Sequence, residues 1–246
     1  MTISVFLFVV LGLSLGSFGN VVVLRSFHGE SLTGRSRCRS CKRTLGFFDL
    51  IPVLSYVLLG GRCRRCHAHI PLQYPIVEFL SGVLFGLSAM LFPSEIVLAI
   101  FTALLLYALL LSAVFDVLHQ RLPDALTISI AVLALVISFL EHHFISSLIG
   151  LLIAFTWFGG QWILSRGRAV GTGDIWLASA LGLWLGWRGT VAMLLLSYST
   201  GAIVVLFLLA IGTLSFKRER IAFGPFLGVG AVLAMLGVGQ VYFTML

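Results

Sequence analysis

The chain has 246 residues, of which 59% are hydrophobic and only 10% charged, with a mean hydropathy of +1.10. A soluble domain carries about 25% charged residues, so the composition excludes a water-soluble globular protein and indicates one that spans a membrane repeatedly. The formal net charge of +7 reads as a topology signal and an attraction to anionic lipid head groups, and gives no reason to invoke nucleic acid.

The few charges punctuate the chain. Uncharged stretches cover 1–24, 79–94, 96–115, 125–140, 142–165, 175–187, 189–216 and 221–246. Most suit a spanning helix of roughly 17–25 residues. The second reaches that length once the apolar residues from Tyr74 are added, and 175–187 is the shortest. Continuous apolar runs, without the alternation of a β-barrel, predict an all-α polytopic protein with about eight transmembrane helices. No basic region precedes the first apolar run, so residues 1–24 read as a retained first helix. Its small and polar end, Gly16-Ser17-Phe18-Gly19-Asn20, suits close packing against a neighbour. Residues 25–72 form one polar, basic segment holding all four cysteines. It is expected to be a small domain between helices one and two, with a seven-helix region over 73–246.

Orientation follows from Lys and Arg. With the N-terminus outside and the helices alternating, fifteen of the 16 basic residues fall inside and only Arg188 outside, which predicts a cytoplasmic 25–72 segment. The connections 116–124, 165–174 and 214–224 fall on the same side, and the outer loops 92–94, 141–143 and 186–189 are short.

Cys38-x2-Cys41 and Cys63-x2-Cys66 have the spacing of a zinc ribbon or knuckle. Each pair supplies two thiolates on one turn, and two turns complete a tetrahedron. The alternative is two disulfides, which rarely persist in the cytoplasm. Four cysteines fill the site, so His67 and His69 are not assigned as ligands and the zinc is expected to be structural.

Two aspartates stand where apolar segments meet short loops: Asp116, in Phe115-Asp116-Val117-Leu118, and Asp174, in Gly171-Thr172-Gly173-Asp174. Carboxylates at a membrane boundary are costly and mark function by default. Asp124, after Pro123, reads equally as a helix N-cap, and Asp174 also precedes a helix. Asp116 ends its helix, where the dipole disfavours a negative charge, and so needs a partner or a purpose. Paired, Asp116 and Asp174 form an aspartic dyad: one takes a proton from water while the other, protonated, polarises the scissile carbonyl. Gly171 and Gly173 would let a substrate backbone approach. The bland alternative for Asp124 and Asp174 is capping alone; Asp116 has no such alternative.

Taken together and in order, these motifs resemble the bacterial type IV prepilin peptidases. The resemblance rests on Gly16-Ser17-Phe18-Gly19-Asn20-Val21-Val22, the two cysteine pairs, Ile51-Pro52-Val53-Leu54-Ser55-Tyr56, Gly61-Arg62-Cys63, Tyr74-Pro75-Ile76-Val77-Glu78, the 116–124 segment, the Gly-x-Gly-Asp and Phe223-Gly224-Pro225-Phe226. It implies a polytopic inner-membrane aspartic protease that cuts the basic leader from prepilins and pseudopilins at the cytoplasmic face. It implies catalysis by Asp116 and Asp174, with Asp124 at a motif position outside the dyad. It also implies, for the form carrying the cysteine loop, methylation of the new N-terminus from S-adenosylmethionine. No Gly-rich nucleotide fingerprint is visible; Glu78 and Arg25 are the candidate methyl-transfer residues, against an ordinary interfacial pair. Departures from the family pattern include Asp49, where Asn is common, and Trp176, where Lys is frequent. The competing readings are a carrier with cation-binding carboxylates, a scaffold whose zinc loop docks a partner, and a protease of the same motif with another specificity.

Overall fold

The structure, a computed structural model, describes residues 2–27, 29–212 and 221–243. Among them, all regular structure is helical apart from two isolated bridges, Arg37 to Thr44 and Arg62 to His69. The helices are α1 (Thr2–Phe27), the short α2 (Leu54–Leu58), α3 (Gln73–Leu91), α4 (Ile96–His119), α5 (Asp124–Leu140), α6 (Phe144–Ser165), α7 (Thr172–Ala210) and α8 (Gly224–Phe243). A single 3₁₀ turn, Phe47–Asp49, precedes α2.

Helices α1, α3, α4, α6 and α7 are long and apolar enough to cross a membrane, and α5 and α8 are shorter apolar helices. The 39-residue α7 is two helices in one. Gly186 breaks its geometry with φ 66° and ψ 179°, a conformation essentially reserved for glycine. The Thr190 hydroxyl donates to the Gly186 carbonyl at 2.7 Å, and the Trp187 N–H to Ser146 Oγ at 3.4 Å. The expected outer loop at 186–189 is thus a one-residue break, since these side-chain bonds satisfy backbone groups freed there. Counted on either side of Gly186, eight apolar helical segments stand among the described residues, in line with the expected all-α membrane fold.

The boundaries differ from those expected. α1 runs through Arg25 to Phe27, α4 carries Asp116 inside its last turn and α7 begins at Thr172. Charges mark where a span leaves the lipid, whereas a helix ends where its backbone bonds do. Lys217, Arg218 and Arg220, counted above toward orientation, lie outside the described residues.

The chain divides into two compact units, residues 1–111 and 112–246. In the first, α1 packs on α3 at close range. A methyl group on Gly16 would lie 2.7 Å from the Glu78 Cα, so only glycine admits this approach, as the small residues there suggested. Asn20, 1% exposed, donates to the Tyr74 carbonyl at 3.2 Å. Phe8, Phe85 and Tyr107 pack together, and the Tyr107 hydroxyl donates to the Leu15 carbonyl at 2.7 Å. In the second unit α7 is central, packed against α5, α6 and α8.

Candidate active site and metal centre

The polar segment folds around its cysteines. Cys38, Cys41, Cys63 and Cys66 place their sulfurs within 4.8 Å of one another. All four are free thiols, and Cys38 Sγ lies 3.8 Å from Cys66 Sγ. Zinc–sulfur bonds of about 2.3 Å in a tetrahedron require sulfur–sulfur edges of about 3.8 Å, so the donor set fits such a metal.

Both pairs are built the same way. Cys38 donates its N–H to the Arg43 carbonyl at 2.9 Å and accepts from Lys42 at 3.0 Å; Cys63 donates to Ala68 at 2.9 Å and accepts from His67 at 3.0 Å. Lys42 (φ 56°) and His67 (φ 54°) occupy equivalent left-handed positions, and each turn is closed by one of the two bridges. In the sequence only Arg-Cys-Arg-x-Cys recurs, which does not show that the backbone around each pair repeats. Backbone groups of Cys66 and Arg65 hold the Cys63 thiol down at about 6. Cys66 is pushed up to about 11: the Ala68 backbone opposes this, but burial and the three neighbouring sulfurs outweigh it. Negative charge crowded on four sulfurs is what a dication relieves.

Glu78 and Arg25 do not form an ion pair; the acidic partner identified in this loop is Asp49, to Arg64 at 3.1 Å. Glu78 is buried and accepts the Val53 N–H at 2.7 Å. Val53 has φ 61°, a strained conformation for a β-branched residue. Arg25 donates to the carbonyls of Ser31, Thr33 and Arg35 at 3.1, 2.9 and 3.2 Å, fastening the start of the loop to the end of α1. Neither the Val53 strain nor the Arg25 clasp had a sequence signal.

In the second unit the aspartates stand at helix ends. Asp116, in the last turn of α4, is 7% exposed. Its Oδ2 accepts the N–H of Gly224, the first residue of α8, at 2.8 Å. The partner that Asp116 required is therefore a helix N-terminus, whose free N–H groups favour an anion. A methyl group on Gly224 would sit 2.8 Å from that same oxygen. The Gly-Pro pair opening α8 was the available signal.

Asp174 is the third residue of α7, and its Oδ2 accepts the Gly171 N–H at 3.3 Å as half of a capping box. Gly173 faces Leu122, whose Cβ lies 3.1 Å from where a glycine-replacing Cβ would stand. This places the 116–124 connection against the Gly-x-Gly-Asp turn.

Asp124 is corrected as a cap. The N-cap of α5 is Pro123, and no side chain caps it; Asp124 is exposed in the first turn, where it still complements the dipole. Trp176 is 61% exposed and rests near Phe155 at 6.2 Å. His119 lies against Phe115 at 5.9 Å. His143 bonds Glu141 at 2.6 Å and Ser147 at 2.9 Å, and its bond to Glu141 raises its affinity for a proton.

Comparison with known proteins agrees along the chain. Residues 10–92 match the bacterial peptidase A24 N-terminal domain and residues 103–206 the type IV leader peptidase family. A prepilin leader peptidase/N-methyltransferase of Myxococcus xanthus is 38% identical, covering 88% of this chain and 67% of the relative. Proteins of that name from Burkholderia pseudomallei and Dickeya chrysanthemi are 35% and 32% identical. The alignments cover 97% and 92% of this chain and 86% and 92% of those relatives. No solved structure matches. By the family models and by these near full-length relatives, the chain belongs to the type IV leader peptidase family.

Proposed function

We propose that this protein is a membrane aspartic endopeptidase that removes the basic leader from type IV prepilins and pseudopilins, and then methylates the new N-terminus from S-adenosylmethionine. The family and the names of its relatives support the activity. The observation that carries the mechanism is the buried Asp116 carboxylate, bonded to the Gly224 amide and followed by a connection whose Leu122 packs on Gly173 of the Gly-x-Gly-Asp turn.

Asp116 and Asp174 share one proton between them. The ionised member takes a proton from water, whose oxygen bonds the carbonyl carbon; the protonated member gives its proton to the carbonyl oxygen. Collapse of the tetrahedral intermediate breaks the C–N bond: the protonated carboxyl gives its proton to the departing nitrogen while a hydroxyl of the intermediate returns one to the ionised carboxylate, which restores the shared proton. The Gly224 N–H fixes Asp116, and the Gly171 N–H fixes Asp174, so both carboxylates are oriented before substrate arrives. Gly171, Gly173 and Asp124 support the turn and connection around them.

The cysteine segment, residues 25–72, is read as a cytoplasmic structural zinc domain, flanked by a first helix over 1–24 and a seven-helix peptidase region over 73–246. Bound zinc would be held by Cys38, Cys41, Cys63 and Cys66 and would supply folding energy to a loop with little core. S-adenosylmethionine would supply the methyl group. The buried Glu78 carboxylate suits a cationic sulfonium or amine, and Arg25 organises the adjoining loop. The location is the bacterial inner membrane, with loop and dyad on the cytoplasmic side.

The test is purified protein mixed with a type IV prepilin and S-adenosylmethionine, read by intact mass. Loss of the leader followed by one added methyl group is expected. An uncut prepilin, with the enzyme folded and metal-loaded, would favour another specificity or the scaffold reading.

A further inference from the structure

The cysteine loop carries an apolar surface that the metal site does not use. Phe47 and Phe48 are 80% and 70% exposed, and Leu54, Val57 and Leu58 are 50%, 67% and 74% exposed. Positions 54, 57 and 58 fall on one face of α2, while Tyr56 turns away to approach the Ile70 carbonyl at 3.4 Å. The two phenylalanine rings stack edge to face at 5.7 Å, and the 3₁₀ turn that bears them packs against α2. A water-facing loop does not ordinarily display five large apolar side chains side by side.

The surroundings identify the occupant. The loop joins two membrane-crossing helices, so it leaves and re-enters the bilayer surface within 45 residues, from Phe27 to Gln73. Residues 29–72 hold eight Lys and Arg against two acids, Glu30 and Asp49, and Asp49 is engaged by Arg64. At the start of α3, Leu72 and Ile76 are exposed as well. An apolar face on a loop this rich in Lys and Arg, next to a membrane, has the chemistry of an interfacial anchor. The same charge repels a basic peptide from this face.

We propose that the Phe47–Leu58 region is a membrane foot: its apolar face inserts at the interface of the anionic leaflet, holding the cysteine knuckles against the bilayer. Insertion buries the face, and the surrounding cations meet lipid phosphates.

The test uses the full-length, metal-loaded protein in nanodiscs of phosphatidylcholine with phosphatidylglycerol. Benzoylphenylalanine replaces Phe48 or Leu58 in turn, and Phe79, exposed on α3, serves as the lipid-facing control. After illumination, lipid adducts at 48 and 58 comparable to those at 79 are expected. Replacing phosphatidylglycerol by phosphatidylcholine should lower the adducts at 48 and 58 several-fold and leave 79 unchanged. Adducts to a second copy or to added prepilin would overturn the proposal, as would an absence of lipid adducts at 48 and 58 while 79 labels. Equal labelling with and without anionic lipid would overturn the role given to charge. None of these outcomes depends on catalytic activity.

Discussion

The two polar regions of this protein are built on opposite plans. The cysteine cluster is assembled locally: its ligands span residues 38–66, and each knuckle closes on its own backbone bonds. The aspartate site is assembled at a distance, from the end of α4, the start of α7 and the start of α8, so that Asp116 and its partner Gly224 are 108 residues apart. On the proposed reading the first depends on a metal and little packing, and the second on packing among helices. A local site fails by losing its ligand, and a distributed one by losing its alignment, so the two should be separable by perturbation.

The largest effect is expected from the dyad. Asp174→Asn and Asp116→Asn should each lower leader cleavage on the order of 10³-fold or more, while zinc content stays at the wild-type value. Next, Cys63→Ser should abolish stoichiometric zinc, read by elemental analysis, because a tetrahedral structural site lacks tolerance for a missing thiolate. Methylation should be lost with it and cleavage largely kept. Equal loss of both activities would break the proposed independence of the two regions.

Gly224→Ala perturbs the aspartate site alone. Its methyl group would press on Asp116 Oδ2 at 2.8 Å, and displacing a catalytic group by about 1 Å costs roughly 10²-fold. The expected result is a fall in kcat with zinc content unaffected. Glu78→Gln should reduce methylation of a leaderless pilin and spare cleavage; parallel loss of both would reduce Glu78 to a helix-packing residue. The smallest effect is expected at the α7 break, where Gly186→Ala forces a side chain to φ 66°. That should destabilise the protein by about 1–3 kcal/mol, seen as a lower Tm.

How much was legible in the sequence follows the same division. The cysteine cluster was readable because CxxC spacing sets two sulfurs on one turn whatever surrounds them, and the helices were readable because lipid demands long uncharged runs. What escaped depended on tertiary placement. Gly224 reaches Asp116 only because α8 begins beside the end of α4. Leu122 meets Gly173 only through the packing of the second unit. The strained Val53 is intelligible only once its amide is seen to serve the buried Glu78. Asp124, read as a possible cap, gave up that position to Pro123, whose extended backbone starts α5 without a side-chain bond.

The most direct measurement is cleavage of one prepilin by wild type, Asp116→Asn and Asp174→Asn, each shown to be folded and zinc-loaded, with products identified by intact mass. Leader removal by wild type and none by either variant is expected at matched enzyme concentration. Undiminished cleavage by either variant would contradict it, and the carboxylates would then be structural helix-end groups.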